Sequence, residues 1–166
     1  MKTFAISILV MVFLCALCST VYGGDGWTVT AVGSDDLLSL RVGTRPWQGR
    51  TEVGGYGVWL DGLAEGEDEA YGGGAYAIYD VVQDAQFTVL TYQVPVTIYV
   101  GGQMGVLHRE DSDEDAGAAL MTGLSFGDTQ TRIGVEYQYL LNDDLWKEFG
   151  TVDDQGRLLL TLQRRF

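Results

Sequence analysis

Cysteine is almost missing from this chain. Of its 166 residues only Cys15 and Cys18 are cysteines, and both precede residue 20. The remainder therefore has no disulfide framework and no thiolate nucleophile. Proline occurs twice and histidine once, at His108. A lone histidine supplies no histidine-based metal triad, no nucleophile elbow is present, and no cofactor motif is found. Basic residues are scarce too: ten Lys and Arg stand against 23 Asp and Glu, a net charge of −13 and a pI near 4.2. No basic patch interleaves with aromatic residues, which excludes a nucleic-acid partner bound through a positive surface. Beyond the first 23 residues, no apolar run approaches the length of a membrane-spanning helix. With 46% hydrophobic residues the chain is not a disordered polymer, and its length suits one domain.

What is present begins with an address. Lys2 forms a basic start, and Phe4 to Leu17 is apolar apart from Ser7 and the cysteines. Val21-Tyr22-Gly23 then offers a cleavage site, so residues 1–23 read as a secretory signal and 24–166 as the mature domain. Cleavage removes Lys2, leaving nine basic residues against the 23 acidic ones.

The hydrophobic period of the mature part is two, the spacing of a strand whose side chains point alternately to opposite faces. Val94, Val96, Ile98, Val100, Met104 and Val106 share a face, opposite Thr97, Tyr99 and Gln103. Ile133, Val135, Tyr137, Tyr139 and Leu141 alternate with Arg132, Gly134, Glu136 and Gln138. Segments 116–126 and 157–166 follow the same rule. Weaker patterns at 27–33, 37–45, 51–60 and 75–82 bring the expected count to eight strands, with no helix. Two features leave the register of the first half open. Residues 84–93 are long for a turn, and Phe87-Thr88-Val89-Leu90 has strand character of its own. On that reading, residues 27–33 become a segment preceding a barrel whose first strand starts at Leu37. Glycines such as Gly43, Gly54, Gly101, Gly123 and Gly134 interrupt the strands, as tight curvature or crowded inward positions require. Gly72-Gly73-Gly74 has no phosphate-loop lysine and reads as loop.

Charge placement separates the two faces. Residues 61–69, 110–115 and 143–154, all between strands, each carry five acids. Arg41, Arg45, Arg132, Arg157, Arg164 and Arg165 lie in or at the ends of strands, mostly on the less apolar face. A soluble sandwich shows its polar face to water. The alternative is the inverse: Val, Ile, Leu and Tyr towards lipid, and charge within a small hydrated interior. Such an interior needs paired charges, and its expected members are Arg41, Glu52, Arg132 and Glu136. Short breaks near residues 46–50 and 127–130, against longer ones at 61–74, 109–115 and 142–156, match the turns and loops of an outer-membrane barrel. Tyr76, Tyr79, Tyr137, Tyr139, Trp59 and Trp146 are candidates for its interfacial girdles.

At Tyr99-Val100-Gly101-Gly102-Gln103-Met104-Gly105 and Ile133-Gly134-Val135-Glu136-Tyr137-Gln138-Tyr139, the sequence resembles the small outer-membrane β-barrels of the OmpA/OmpX type. Leu158, Leu160, Leu162 and the terminal Phe166 resemble that family's C-terminal assembly signal. Arg164 departs from it, standing where an aromatic residue is common, and no peptidoglycan-binding segment follows. The resemblance implies an all-β, eight-stranded antiparallel up-and-down transmembrane barrel in the outer membrane of a Gram-negative-type cell envelope. It implies outer-membrane lipid, lipopolysaccharide and the barrel-assembly machinery as partners. It does not imply one activity, because this fold carries structural proteins, adhesins, pores and lipid enzymes.

Eight strands leave an interior filled by side chains, so the expected role is structural or surface-interacting, with no bulk pore and no catalytic residues. Two alternatives remain at this point. One is a lipid A-type acyl hydrolase using His108 with Ser112 or Ser125. The other is a soluble periplasmic binder, lipocalin-like or a β-sandwich. Asp111, Asp113, Glu114 and Asp115 form a further candidate, a weak cation-binding loop. Ala116 and Thr122 occupy the positions where an EF-hand needs Gly and Glu, so no EF-hand is present. Mg²⁺ or Ca²⁺ bridging the acids of residues 61–74, 109–115 and 142–156 to anionic lipid headgroups is the expected use of such a rim.

Overall fold

The computed structural model describes residues 26–34, 37–45, 49–60, 70–89, 91–109, 115–128, 130–141 and 156–166. Residues 1–23, expected as a secretory signal, and the expected cleavage site lie outside these residues. Eight strands form: β1 (Trp27–Gly33), β2 (Leu37–Thr44), β3 (Thr51–Leu60), β4 (Ala70–Val89), β5 (Tyr92–Arg109), β6 (Asp115–Gly127), β7 (Thr131–Leu140) and β8 (Gly156–Arg165). Each pairs antiparallel with its neighbour in sequence, and β1 pairs with β8 to close the barrel. The fold is therefore an all-β, eight-stranded, up-and-down barrel. Closure leaves no sheet edge within the wall.

Alternation is clearest in β7, where every second residue from Arg132 to Leu140 is buried and those between are exposed. Arg132, Glu136 and Gln138 point inward, while Ile133, Val135, Tyr137 and Tyr139 point outward. Strand β8 keeps the period with Leu158 and Leu160 outward, 69% and 65% exposed. Leu159 points inward and is buried, joining Val32, Leu37, Leu60 and Ala70 in an apolar cluster near the long-loop end. A second cluster of Tyr76, Ile78, Tyr99 and Met121 fills the middle of the lumen. Glycine makes room there: a Cβ at Gly123 would collide with the Tyr99 ring.

Residues 27–33 are the first barrel strand, paired to both β2 and β8, as the count of eight strands expects, and the alternative of a preceding segment falls away. Two other expectations are corrected by this architecture. Gly72-Gly73-Gly74 is strand: β4 begins at Ala70 and pairs with β3 and β5 through all three glycines. Backbone approach is the reason, since a Cβ at Gly74 would strike the Met104 carbonyl and Gly105 of β5. Residues 84–89 and 92–93 are strand and not a long turn, in keeping with the strand character of Phe87-Thr88-Val89. Strands β4 and β5 run on as a two-stranded ribbon to Val89 and Tyr92, past the last residues paired to β3 (Tyr79) and to β6 (Val96). The pairing shifts between Asp80 and Ala85, where Asp84 takes a left-handed φ of 51° that aspartate tolerates better than most residues.

The ends of the barrel differ. At the short-turn end, Phe166 donates its N–H to the Trp27 carbonyl and Gly26 donates to the Phe166 carbonyl, tying the two described chain ends together. Asp128 closes the turn between β6 and β7, its Oδ1 accepting the backbone N–H groups of Gln130 (2.8 Å) and Thr131 (2.7 Å). Those two bonds hold its carboxyl below the usual carboxylate range.

Candidate functional site

The lumen contains the chemistry of this molecule. Arg41 on β2 reaches across the barrel to Glu136 on β7, with both guanidinium Nη atoms donating to the two carboxylate oxygens at 2.6 Å. This fork-to-fork geometry is the strong form of the pair. Tyr99 donates its hydroxyl to the same carboxylate at 2.9 Å, and Gln138 adds an amide N–H at 2.8 Å. The Arg41 guanidinium also donates to Gln103 and lies 5.7 Å from the Tyr76 ring centroid. Glu136 is 0% and Arg41 1% exposed, so each needs the other.

Glu52 on β3 belongs to a neighbouring group. It accepts from Arg45 (3.3 Å), the Tyr76 hydroxyl (2.8 Å) and Gln163 (3.2 Å). Arg45 also forms a bidentate pair with Asp80. Tyr76 therefore links the two clusters, facing Arg41 with its ring and Glu52 with its hydroxyl. At the short-turn mouth Arg132 donates to Asp84 at 2.7 Å, and the Asp84 backbone N–H donates to Thr97 Oγ1. The ribbon is thereby anchored to the barrel at its base.

Of the four interior charges expected from sequence, Arg41 and Glu136 meet each other. Glu52 and Arg132 are inside but have other partners. Arg45, Asp80, Asp84, Tyr76 and Tyr99 complete the groups. Asp80 was legible in principle, because it shares strand parity with Tyr76 and Ile78. Tyr76 is corrected from girdle to lumen, at 4% exposure. Tyr79, Tyr137 and Tyr139 do lie outside, Trp59 is half-buried, and Trp146 is outside the described residues.

The space left is divided. An open cleft of about 460 Å³ towards the long-loop end is lined by Leu37, Tyr56, Val58, Leu107, Gln103 and Gln138 among others. A second of about 350 Å³ towards the short turns is lined by polar groups including Arg45, Asp80, Arg132 and Ser125. The layer of Arg41, Glu136, Tyr76, Tyr99 and Met121 occupies the middle of the lumen.

His108 sits at the long-loop end of β5, its ring 5.2 Å from that of Tyr71. Ser125 pairs with Thr97 at the other end of the barrel, so those two candidates are not brought together. Ser112 and the loop acids Asp111, Asp113 and Glu114 lie outside the described residues; Asp115 opens β6 opposite Leu107. Among the described residues, no cluster of His, Cys, Asp and Glu is placed to hold a metal ion. Leu158 and Leu160 of the expected assembly signal face outward, whereas Leu162 and Phe166 are half-buried, with Arg164 5.7 Å from the Phe166 ring.

The sequence matches no family model and no curated protein. Among solved structures, the chain is similar to Neisserial surface protein A, with a TM-score of 0.52 at 17% identity over 84% of this chain and 93% of that one. At that identity the likeness shows the fold: one closed barrel of eight antiparallel strands.

Proposed function

We propose that this chain is an integral outer-membrane barrel with a structural or surface-interaction role and no bulk pore. The observation that carries the reading is the inversion of polarity. Ile133, Met104, Leu158, Leu160 and Leu120 stand outward, each more than half exposed, while Arg41, Glu52, Asp80 and Glu136 are buried within. In water such a surface would be a large apolar patch; in a bilayer it is the lipid-facing wall. Closure supports the same reading, since every wall strand has partners on both sides, as a membrane-spanning sheet requires. The solved structure it resembles is named for a surface protein.

The filled middle of the lumen supports a role other than bulk transport. The exposed face suits outer-membrane lipid and lipopolysaccharide as surroundings, and the terminal strand suits recognition by barrel-assembly machinery. The soluble alternatives are less well supported. A β-sandwich needs two sheets where one closed barrel is found, and a lipocalin-like binder needs an open apolar interior where an ionic layer fills the middle of this one. Membrane fractionation with heat-modifiable gel mobility tests the reading. Recovery in the membrane pellet, with faster migration before boiling, is expected. Recovery in the soluble periplasmic fraction overturns it.

A further inference from the structure

The ribbon made by the ends of β4 and β5 is amphipathic in a way that the barrel reading alone does not explain. Residues opposite one another in an antiparallel pair point to the same side. Val82 opposes Ile98, Ala85 opposes Val96, Phe87 opposes Val94, and Val89 opposes Tyr92. Among the side chains described, that face is apolar apart from the Tyr92 hydroxyl, and it continues the outward side of β5, where Ile98, Val100, Met104 and Val106 are exposed. The other face has Gln86 opposite Pro95 and Thr88 opposite Gln93. Asp84 is the only charged residue between Val81 and Val96, and it is turned to Arg132. Val96 at the base of this face is buried within the chain, whereas Phe87 at 60% and Tyr92 at 73% exposure leave its tip uncovered.

The outward apolar face is thus of unequal height around the barrel. On β7 it runs from Ile133 to Leu141, which at about 3.3 Å per residue and about 40° of tilt is roughly 20 Å of membrane depth. On β5 it runs from Val106 to Tyr92, roughly 35 Å by the same arithmetic, against an apolar band of about 25 Å in such barrels. A hydrophobic wall taller than the bilayer core is accommodated by tilting.

We infer that the barrel sits tilted, with its β4–β5 side sunk into the leaflet at the short-turn end, so that phospholipid acyl chains cover Phe87, Val94 and Tyr92. This rests on the outer-membrane reading. Continuity with the lipid-facing wall selects lipid as the occupant, as does the absence of any charge or polar pairing group on that face apart from the Tyr92 hydroxyl.

Site-directed spin labelling tests it. The chain has no cysteine after Cys18, so with Cys15→Ser and Cys18→Ser a single introduced thiol is unique. Labels are placed by Phe87→Cys, Thr88→Cys, Tyr92→Cys and Gln93→Cys, with Ile133→Cys as the wall reference, in phosphatidylethanolamine–phosphatidylglycerol vesicles. Collision with oxygen and with a water-soluble nickel chelate is then measured. The oxygen-to-nickel ratio at 87 and 92 should match that at 133 and exceed that at 88 and 93 by about fivefold, as a period-two alternation between lipid and water produces. Nickel access at 87 and 92 equal to that at 88 and 93, with 133 still lipid-like, overturns the inference and leaves the barrel reading standing. Nickel access at 133 as well removes the membrane reading itself. Shielding of 87 and 92 from both reagents, with spin broadening that disappears on dilution by unlabelled protein, assigns the face to a second copy and also overturns the inference.

Discussion

Arg41–Glu136 and Arg132–Asp84 are the same chemical pair at two depths of one barrel. The first is sealed between β2 and β7 with its carboxylate bonded on all sides; the second closes a mouth, and its aspartate side chain is 34% exposed. Solvent is the difference. In the middle, neither charge has water to fall back on, so the network holds the packing of the lumen together. At the rim, water reaches Asp84 while Arg132 stays buried beside it, and the pair steers the base of the ribbon.

The largest expected effect comes from breaking the deep pair. Glu136→Ala should lower stability by roughly 3–5 kcal/mol, because it strands a buried guanidinium. Urea titration of the folded barrel in vesicles measures this. The double variant Arg41→Met with Glu136→Ala should recover part of the loss, since no unpaired charge remains. A double variant no better than the single one would mean that Glu136 acts through its tyrosine and glutamine bonds instead.

The outer wall offers a contrast at similar scale. Leu160→Arg places a charge on the face opposite the lumen and should cost about 2–4 kcal/mol near the bilayer midplane. Equal unfolding midpoints for Leu160→Arg and wild type in the same titration would contradict the lipid-facing assignment.

The rim pair should matter less. Asp84→Ala is expected to cost about 1–3 kcal/mol, because it removes one partner of the buried Arg132, which keeps its bond to the Asp128 carbonyl. Its clearer signature is local: hydrogen exchange at Ala85 and Gln86 should quicken while the strand centres keep their protection. A loss as large as that of Glu136→Ala would erase the distinction between the two depths.

The smallest effect concerns Asp128, at the same rim and fully in water. Its carboxyl is lowered by the Thr131 and Gln130 N–H groups. The unfolded state therefore binds its proton at higher pH than the folded one. The turn's contribution is complete above the ordinary aspartate range and disappears as pH falls through the lowered folded value. Wild type and Asp128→Ala should accordingly differ at neutral pH and converge in acid. A difference that persists unchanged into acid would show that these bonds do not depend on the charge.

The alternation in β7 was plain in the residues because one strand of ten carries its whole pattern, with large apolar groups out and polar groups in. The length of β4 was not. Its glycines lower strand propensity taken singly, and only the approach of β5 makes a small residue necessary at Gly74. The ribbon was obscured by the shift of pairing at Asp80 to Ala85, which breaks the period-two pattern where the sequence would have to show it.

Composition and period by themselves determined that this chain makes strands, that there are eight of them, and that one face is apolar while arginine and glutamate take the other. Those are local properties, set by side chains two residues apart. Which acid meets which arginine was decided only on closure, because Arg41 and Glu136 are 95 residues apart and become neighbours across the lumen. The placing of Tyr76 inside and Tyr79 outside was likewise settled by the register of β4 against β3 and β5, since a shift of one residue exchanges the two faces of a strand.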